Sequence, residues 1–265
     1  MLSAPGSEAS LAPGAGGRIA ALRVDGLDLL VTEGFGPFAW GAFAMVPWAG
    51  RLRDGILAFE GATHELPRTM PPHAIHGTLL ETPWDVVEAG PTYALLAAPL
   101  GPPWPFGGRA VHRVALGPDE LVATLEVHAA DLRFPAIVGW HPWFPRRLAR
   151  GGAAILDLRA GSMLARGDDY LPSGDRVVPP PGPWDDCFVD VAVPPIITWP
   201  GAIRLTISSD ADHWVVYTMP DHALCVEPQT GPPNGLNTGP CAIVEPGRPL
   251  VATMTIRWER LRPAG

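Results

Sequence analysis

Leu121-Val122-Ala123-Thr124-Leu125-Glu126-Val127-His128 is the stretch whose reading decides the fold. Leu121, Ala123, Leu125 and Val127 fall on one side of a period-two pattern and Val122, Thr124, Glu126 and His128 on the other, which predicts a half-buried β-strand. Toward the N-terminus, similar short runs recur at Val111 to Leu116, Tyr93 to Ala98, Trp84 to Val87 and Ile56 to Phe59. Toward the C-terminus they recur at Ile155 to Leu158, Ile203 to Ile207, Trp214 to Tyr217 and Leu224 to Val226. In a last run, Leu250, Ala252, Met254, Ile256 and Trp258 share one face. Ile19 to Val24 and Leu27 to Val31 flank Asp25-Gly26, a dipeptide typical of a two-residue hairpin. Gly- and Pro-rich turns separate the runs and no helical period is sustained, so an all-β chain is expected, folded as a large antiparallel sandwich.

A chain of 265 residues can bury a large core, and residues 18–265 are expected to form one domain. Residues 1–17, rich in Ala, Gly, Ser and Pro, read as a flexible leader without the charged start and apolar core of a signal peptide. The net charge is −8 and all 19 basic residues are arginine, which disfavours nucleic acid and anionic membranes as partners. No apolar run reaches membrane-spanning length. Three cysteines, Cys187, Cys225 and Cys241, are an odd number without C-x-x-C spacing, against both a disulfide framework and a zinc site. Free thiols of this kind suit a reducing cytoplasm.

Polar, reactive groups concentrate in a few loop-like stretches of an otherwise apolar chain. They are Val46 to Arg53 with Arg51, Pro71 to Gly77 with His73 and His76, Val138 to Pro145 with His141 and Trp143, and Pro183 to Phe188 with Asp185. A fifth, Leu224 to Asn234, delivers Glu227 on an apolar run that meets Pro228, so Glu227 is expected at a strand end where a loop opens. Arginine, histidine and carboxylate together form an acid–base inventory. The tryptophans beside them, Trp48, Trp140, Trp143 and Trp184, could cover the apolar face of a sugar ring or simply fill the core. His73 and His76 with His141 are a possible metal set, but no further ligand spacing completes it, and no metal is expected.

The order of these motifs, Gly-Arg at residue 51, Ala-Ile-His-Gly at 74–77, Gly-Trp-His-Pro-Trp-Phe at 139–144, Asp185-x-x-Phe188 and Glu-Pro-Gln-Thr at 227–230, closely resembles the aldose 1-epimerase (galactose mutarotase) family. The resemblance runs from about Phe35 to Trp258. It implies a β-supersandwich, no cofactor, and a small sugar as the partner of a monomer or homodimer. It also implies Glu227 as catalytic base, His141 as catalytic acid, His76 as an aid at the ring oxygen, and Arg51 and Asp185 as contacts to sugar hydroxyls. His73 and Trp143, beside these, are further candidates for sugar contact. Gly50 stands where many members carry Asn, and Thr78 where many carry Gly, so the sugar is left open.

Exchange of anomers requires a proton taken from the C1 hydroxyl and one given to the ring oxygen. A carboxylate and an imidazolium with a reference pKa of about 6.5 can supply both. Three other readings use the same residues. A hexose-6-phosphate epimerase would clamp phosphate with Arg51, Arg53, Arg109 or Arg113. A glycoside hydrolase would pair Glu227 with Asp185. A non-catalytic sugar-binding domain would keep the fold alone.

Overall fold

A computed structural model describes residues 1–34 and 36–262; Phe35, where the resemblance begins, and the last three residues of the expected domain lie outside the described residues. Two large sheets dominate, and their paired strands are antiparallel. The eight-stranded sheet runs in the order Asp85–Ala89, Tyr93–Pro99, Arg109–Leu116, Glu120–His128, Leu250–Arg260, Ile203–Ser209, Ile196–Trp199, Ile155–Asp157. Its Glu120–His128 strand alternates as expected, with Leu121, Ala123, Leu125 and Val127 wholly buried. Those side chains join one contiguous core with Phe43, Trp140, Phe144, Leu224 and Val226 of the other sheet.

That other sheet has eleven strands. Its centre is formed by Ala42–Met45, Gly139–Pro145, Ala223–Gln229 and His213–Tyr217, followed by Asp185–Val191. The central strands are buried on both faces, and for that reason Ala42–Met45 and Gly139–Pro145 show no alternation in the sequence. The Asp25-Gly26 hairpin forms as expected, with both residues at positive φ (48° and 78°) and Val24 paired with Leu27.

Residues 1–17 are not a flexible leader. Leu2–Ala4 and Ser7–Ala12 are strands of the eleven-stranded sheet, joined by the turn Pro5-Gly6, and the second pairs with Arg18–Val24. Proline followed by glycine at positive φ (74° at Gly6) is the signature of a tight turn. Small residues disguised the flanking period: Leu2, Ser7 and Ala9 are the buried positions. Among the described residues no helix is long and apolar enough to cross a membrane.

Candidate active site

The geometry of the site follows from strand register. Gly139 stands opposite Gln229 and Trp143 opposite Cys225, so the register carried inward from both ends sets His141 opposite Glu227. On the outer sides His141 pairs with Phe43, Glu227 with Val215, and Val215 with Cys187. One row across the sheet is therefore Phe43, His141, Glu227, Val215 and Cys187. Two residues along each strand, the next row is Trp143, Cys225, Tyr217 and Asp185. Because side chains alternate, both rows point from the same face.

Over that face lies a cavity of about 250 Å³, below the roughly 300–1,000 Å³ of drug-sized sites. His141, Trp143, Glu227, Gln229, Tyr217 and Asp185 belong to its floor. Its opposite wall comes from loops stitched to one another. Arg51 pairs with Ile75, the His76 amide donates to the Gly50 carbonyl (3.0 Å), and the Asn234 amide donates to the Arg51 carbonyl (2.7 Å). Gly77 permits the approach of the His76 loop: at φ 80°, a Cβ there would lie 1.7 Å from the Val46 carbonyl oxygen.

Glu227 is not at a strand end, since the strand continues through Pro228 to Gln229. The ladder between Gly139–Pro145 and Ala223–Gln229 is nevertheless interrupted between its flanking pairs. Pro142 and Pro228 sit in that gap, and neither has an amide hydrogen to give. Beyond it Thr230 closes the seam, its amide donating to the Val138 carbonyl and its hydroxyl accepting from the Val138 amide, both at 2.9 Å.

His141 Nε2 lies 3.2 Å from Glu227 Oε1, with Glu227 2% and His141 7% exposed. The imidazole is held between the rings of Phe43 (4.7 Å) and Trp143 (5.3 Å, interplanar 11°), and His76 meets it edge-on at 5.2 Å. Burial, helped by the nearby Asp185 charge, pushes the Glu227 carboxyl well above the usual carboxylate range. Burial brings His141 down to about 3 and, with the neighbouring His141 and Arg51, pushes His76 well down too. An isolated imidazolium with an ordinary pKa, as the chemistry first suggests, is thus not what the fold builds. It builds a contacting carboxyl–imidazole pair in which burial pushes the carboxyl up and the imidazole down.

Arg51 and Asp185 both reach the cavity, 4.0 Å apart. Arg166, which sequence reasoning missed, binds Asp185 at 3.1 Å and Asp186 at 3.3 Å, and both guanidiniums lie over the Tyr170 ring at 4.9 and 4.8 Å. Nothing around Arg166 in sequence forms a motif; only the sheet order brings its strand beside Asp185–Val191. Trp143 is the one tryptophan of the four candidates that lines the cavity, while Trp48 and Trp140 are core. His73 does not line it. Its ring is 4% exposed, Nδ1 accepts from the Asp54 amide (3.1 Å) and Nε2 donates to the Asp169 carbonyl (3.0 Å), so it is a structural tie with no nitrogen left for a sugar. Arg53 is engaged by Asp169 at 2.6 Å, and Arg109 and Arg113 lie exposed on the eight-stranded sheet, so these three form no phosphate clamp here. His141, Cys225 and Glu227 place one potential ligand atom each within 4.8 Å of one another and could hold a metal ion.

An all-β sandwich of this kind is the fold of galactose mutarotase-like proteins. Solved structures share the fold. A protein of Escherichia coli K12 provisionally described as an aldose 1-epimerase has a TM-score of 0.86 at 19% identity, covering 98% of each chain. A galactose mutarotase-like protein of Clostridium acetobutylicum has 0.84 at 18%, covering 98% of this chain and 94% of that one. A galactose 1-epimerase of Lactobacillus acidophilus NCFM has 0.77 at 16%, covering 97% and 92%. No curated protein matches. The aldose 1-epimerase family model matches residues 2–257, and the chain belongs to that family of isomerases. The match takes in the N-terminal strands that composition had suggested were a leader.

Proposed function

We propose that Glu227 and His141 open and reclose the ring of a neutral aldose, exchanging its anomers. The observation that carries this reading is their 3.2 Å contact on the cavity floor. With a pyranose inserted over the pair, Glu227 takes the proton of the C1 hydroxyl while the proton on His141 passes to the ring oxygen. The C1–O5 bond breaks, C1 becomes an aldehyde, and the pair is left as carboxylic acid and neutral imidazole. Burial favours that uncharged arrangement over the ionised pair from which the step starts. Rotation about C1–C2 and the reverse transfers give the other anomer. His76, kept neutral by burial, lines the cavity and offers its imidazole to the sugar. Trp143 offers an apolar surface, and Arg51 and Asp185 offer hydroxyl contacts.

A neutral sugar is favoured over a phosphorylated one because the cavity's two guanidiniums already face Asp185 and Asp186. A hydrolase pair is disfavoured because Asp185 stands two strands from Glu227, roughly 10 Å between strand axes, and is engaged by arginine. The buried thiols of Cys187 and Cys225 fit a reducing cytoplasm.

Polarimetry of freshly dissolved α-glucose and α-galactose tests the reading. Wild type should accelerate mutarotation, and Glu227→Gln and His141→Asn should each lose about 10²–10⁴-fold with the fold intact by circular dichroism. Near-wild-type rates in both variants would refute the roles.

A further inference from the structure

Gln229 lies two residues beyond Glu227 on the same strand and so on the same face. It is fully buried and lines the cavity. Its Nε2 donates to Glu227 Oε2 at 3.4 Å, while its Oε1 has no partner among the described residues. With its nitrogen on Glu227, the amide turns its oxygen away from that carboxyl, the arrangement an ionised Glu227 requires. His213, opposite Gln229 in register, has its Nδ1 taken by Asp212 at 2.6 Å.

The Glu227 carboxylate is therefore divided: Oε1 faces His141 and Oε2 faces Gln229. An aldose's C1 is divided in the same way, with the ring oxygen on one side and C2 on the other. If Glu227 meets the C1 hydroxyl and His141 the ring oxygen, a premise taken from the acid–base reading above, then the side held by Gln229 faces C2.

We infer that Gln229 is a specificity-determining and positioning residue, its Nε2 fixing Glu227 and its Oε1 accepting a hydrogen bond from the sugar's 2-hydroxyl. An aldose with a 2-hydroxyl satisfies a buried acceptor; a 2-deoxy aldose leaves it unsatisfied. The same amide holds Glu227 toward its ionised form, against burial and the Asp185 charge.

The test is the enzymatic mutarotation rate of glucose and 2-deoxyglucose, after subtraction of the spontaneous rates, in wild type, Gln229→Leu and the near-isosteric Gln229→Met. Wild type should prefer glucose by about tenfold in kcat/KM, the size of one hydrogen bond. In both variants that ratio should fall toward one. Gln229→Glu, which keeps an acceptor oxygen but sets a second carboxyl beside Glu227, should retain the preference and shift the acid limb of its pH profile upward, a change that loss of packing alone would not give. A wild-type enzyme that accelerates both sugars alike, or variants that keep the tenfold ratio, would overturn the assignment while leaving the acid–base reading standing. A wild-type enzyme that accelerates no aldose would overturn the reading and the assignment with it.

Discussion

The two sheets of this protein differ in how they treat their faces. In the eight-stranded sheet, Glu120–His128 and Arg109–Leu116 bury one face and present the other to solvent, as a clean two-residue alternation. At the centre of the eleven-stranded sheet, every residue of Ala223–Gln229 is buried and so are all but one of Gly139–Pro145. One face packs into the core, and the other is roofed by the loops of the cavity. A sheet with a wet face can only be a scaffold there, whereas a sheet dry on both faces can hold a carboxyl and an imidazole where burial pushes the first up and the second down. The eight-stranded sheet is a one-sided scaffold, and the eleven-stranded sheet carries the buried Glu227–His141 contact.

That division can be broken most visibly in the scaffold. Leu125→Ala, at a wholly buried position of the eight-stranded sheet, should lower unfolding free energy by about 2–5 kcal/mol in denaturant titration, with kcat of the folded enzyme retained. A comparable loss of kcat would mean that the sheets do not divide their labour.

The next effect has the opposite sign. Glu227 has a folded-state pKa raised above its reference value of 4.5, so its favourable contribution is complete below that value and is lost as pH rises through the folded pKa. Glu227→Gln should therefore be more stable than wild type at pH 8, by about 2–4 °C in Tm for each kcal/mol of burial cost removed, and the difference should vanish below about pH 4.5. A variant less stable than wild type at pH 8 would show that the carboxyl is compensated. The smallest effect should come from the cavity rim. Arg51→Ala and Arg166→Ala should raise KM severalfold with little change in kcat, since contacts made alike in ground and transition states affect binding alone. An unchanged KM in both would confine the two arginines to holding Asp185.

Leu121 to Val127 and Leu250 to Trp258 were legible because a face in water enforces polar residues at every second position. Ala42–Met45 was not, since a strand buried on both sides has no polar face to reveal it. His141 and Glu227 were identifiable by motif, and their meeting follows from register once the strands are known to be neighbours. His73 shows the limit in the other direction: its spacing from His76 is that of a ligand pair, yet both its nitrogens tie loops together. Arg166 was invisible because only the folded order of strands gives it a role.

The interrupted ladder at Pro142 and Pro228 has a consequence for how the enzyme could be tuned. Where amide bonds are absent, the spacing of the two reacting groups is set by what packs behind them. Behind His141 stands Trp140, whose indole donates to His112 Nε2 at 3.1 Å, and His112 belongs to the eight-stranded sheet. The scaffold thus adds a hydrogen bond through the Trp140 indole to the apolar packing behind the seam. A change of volume at Trp140 or Val226 would act as an adjusting screw on the distance between Glu227 and His141 without altering any side chain that lines the cavity.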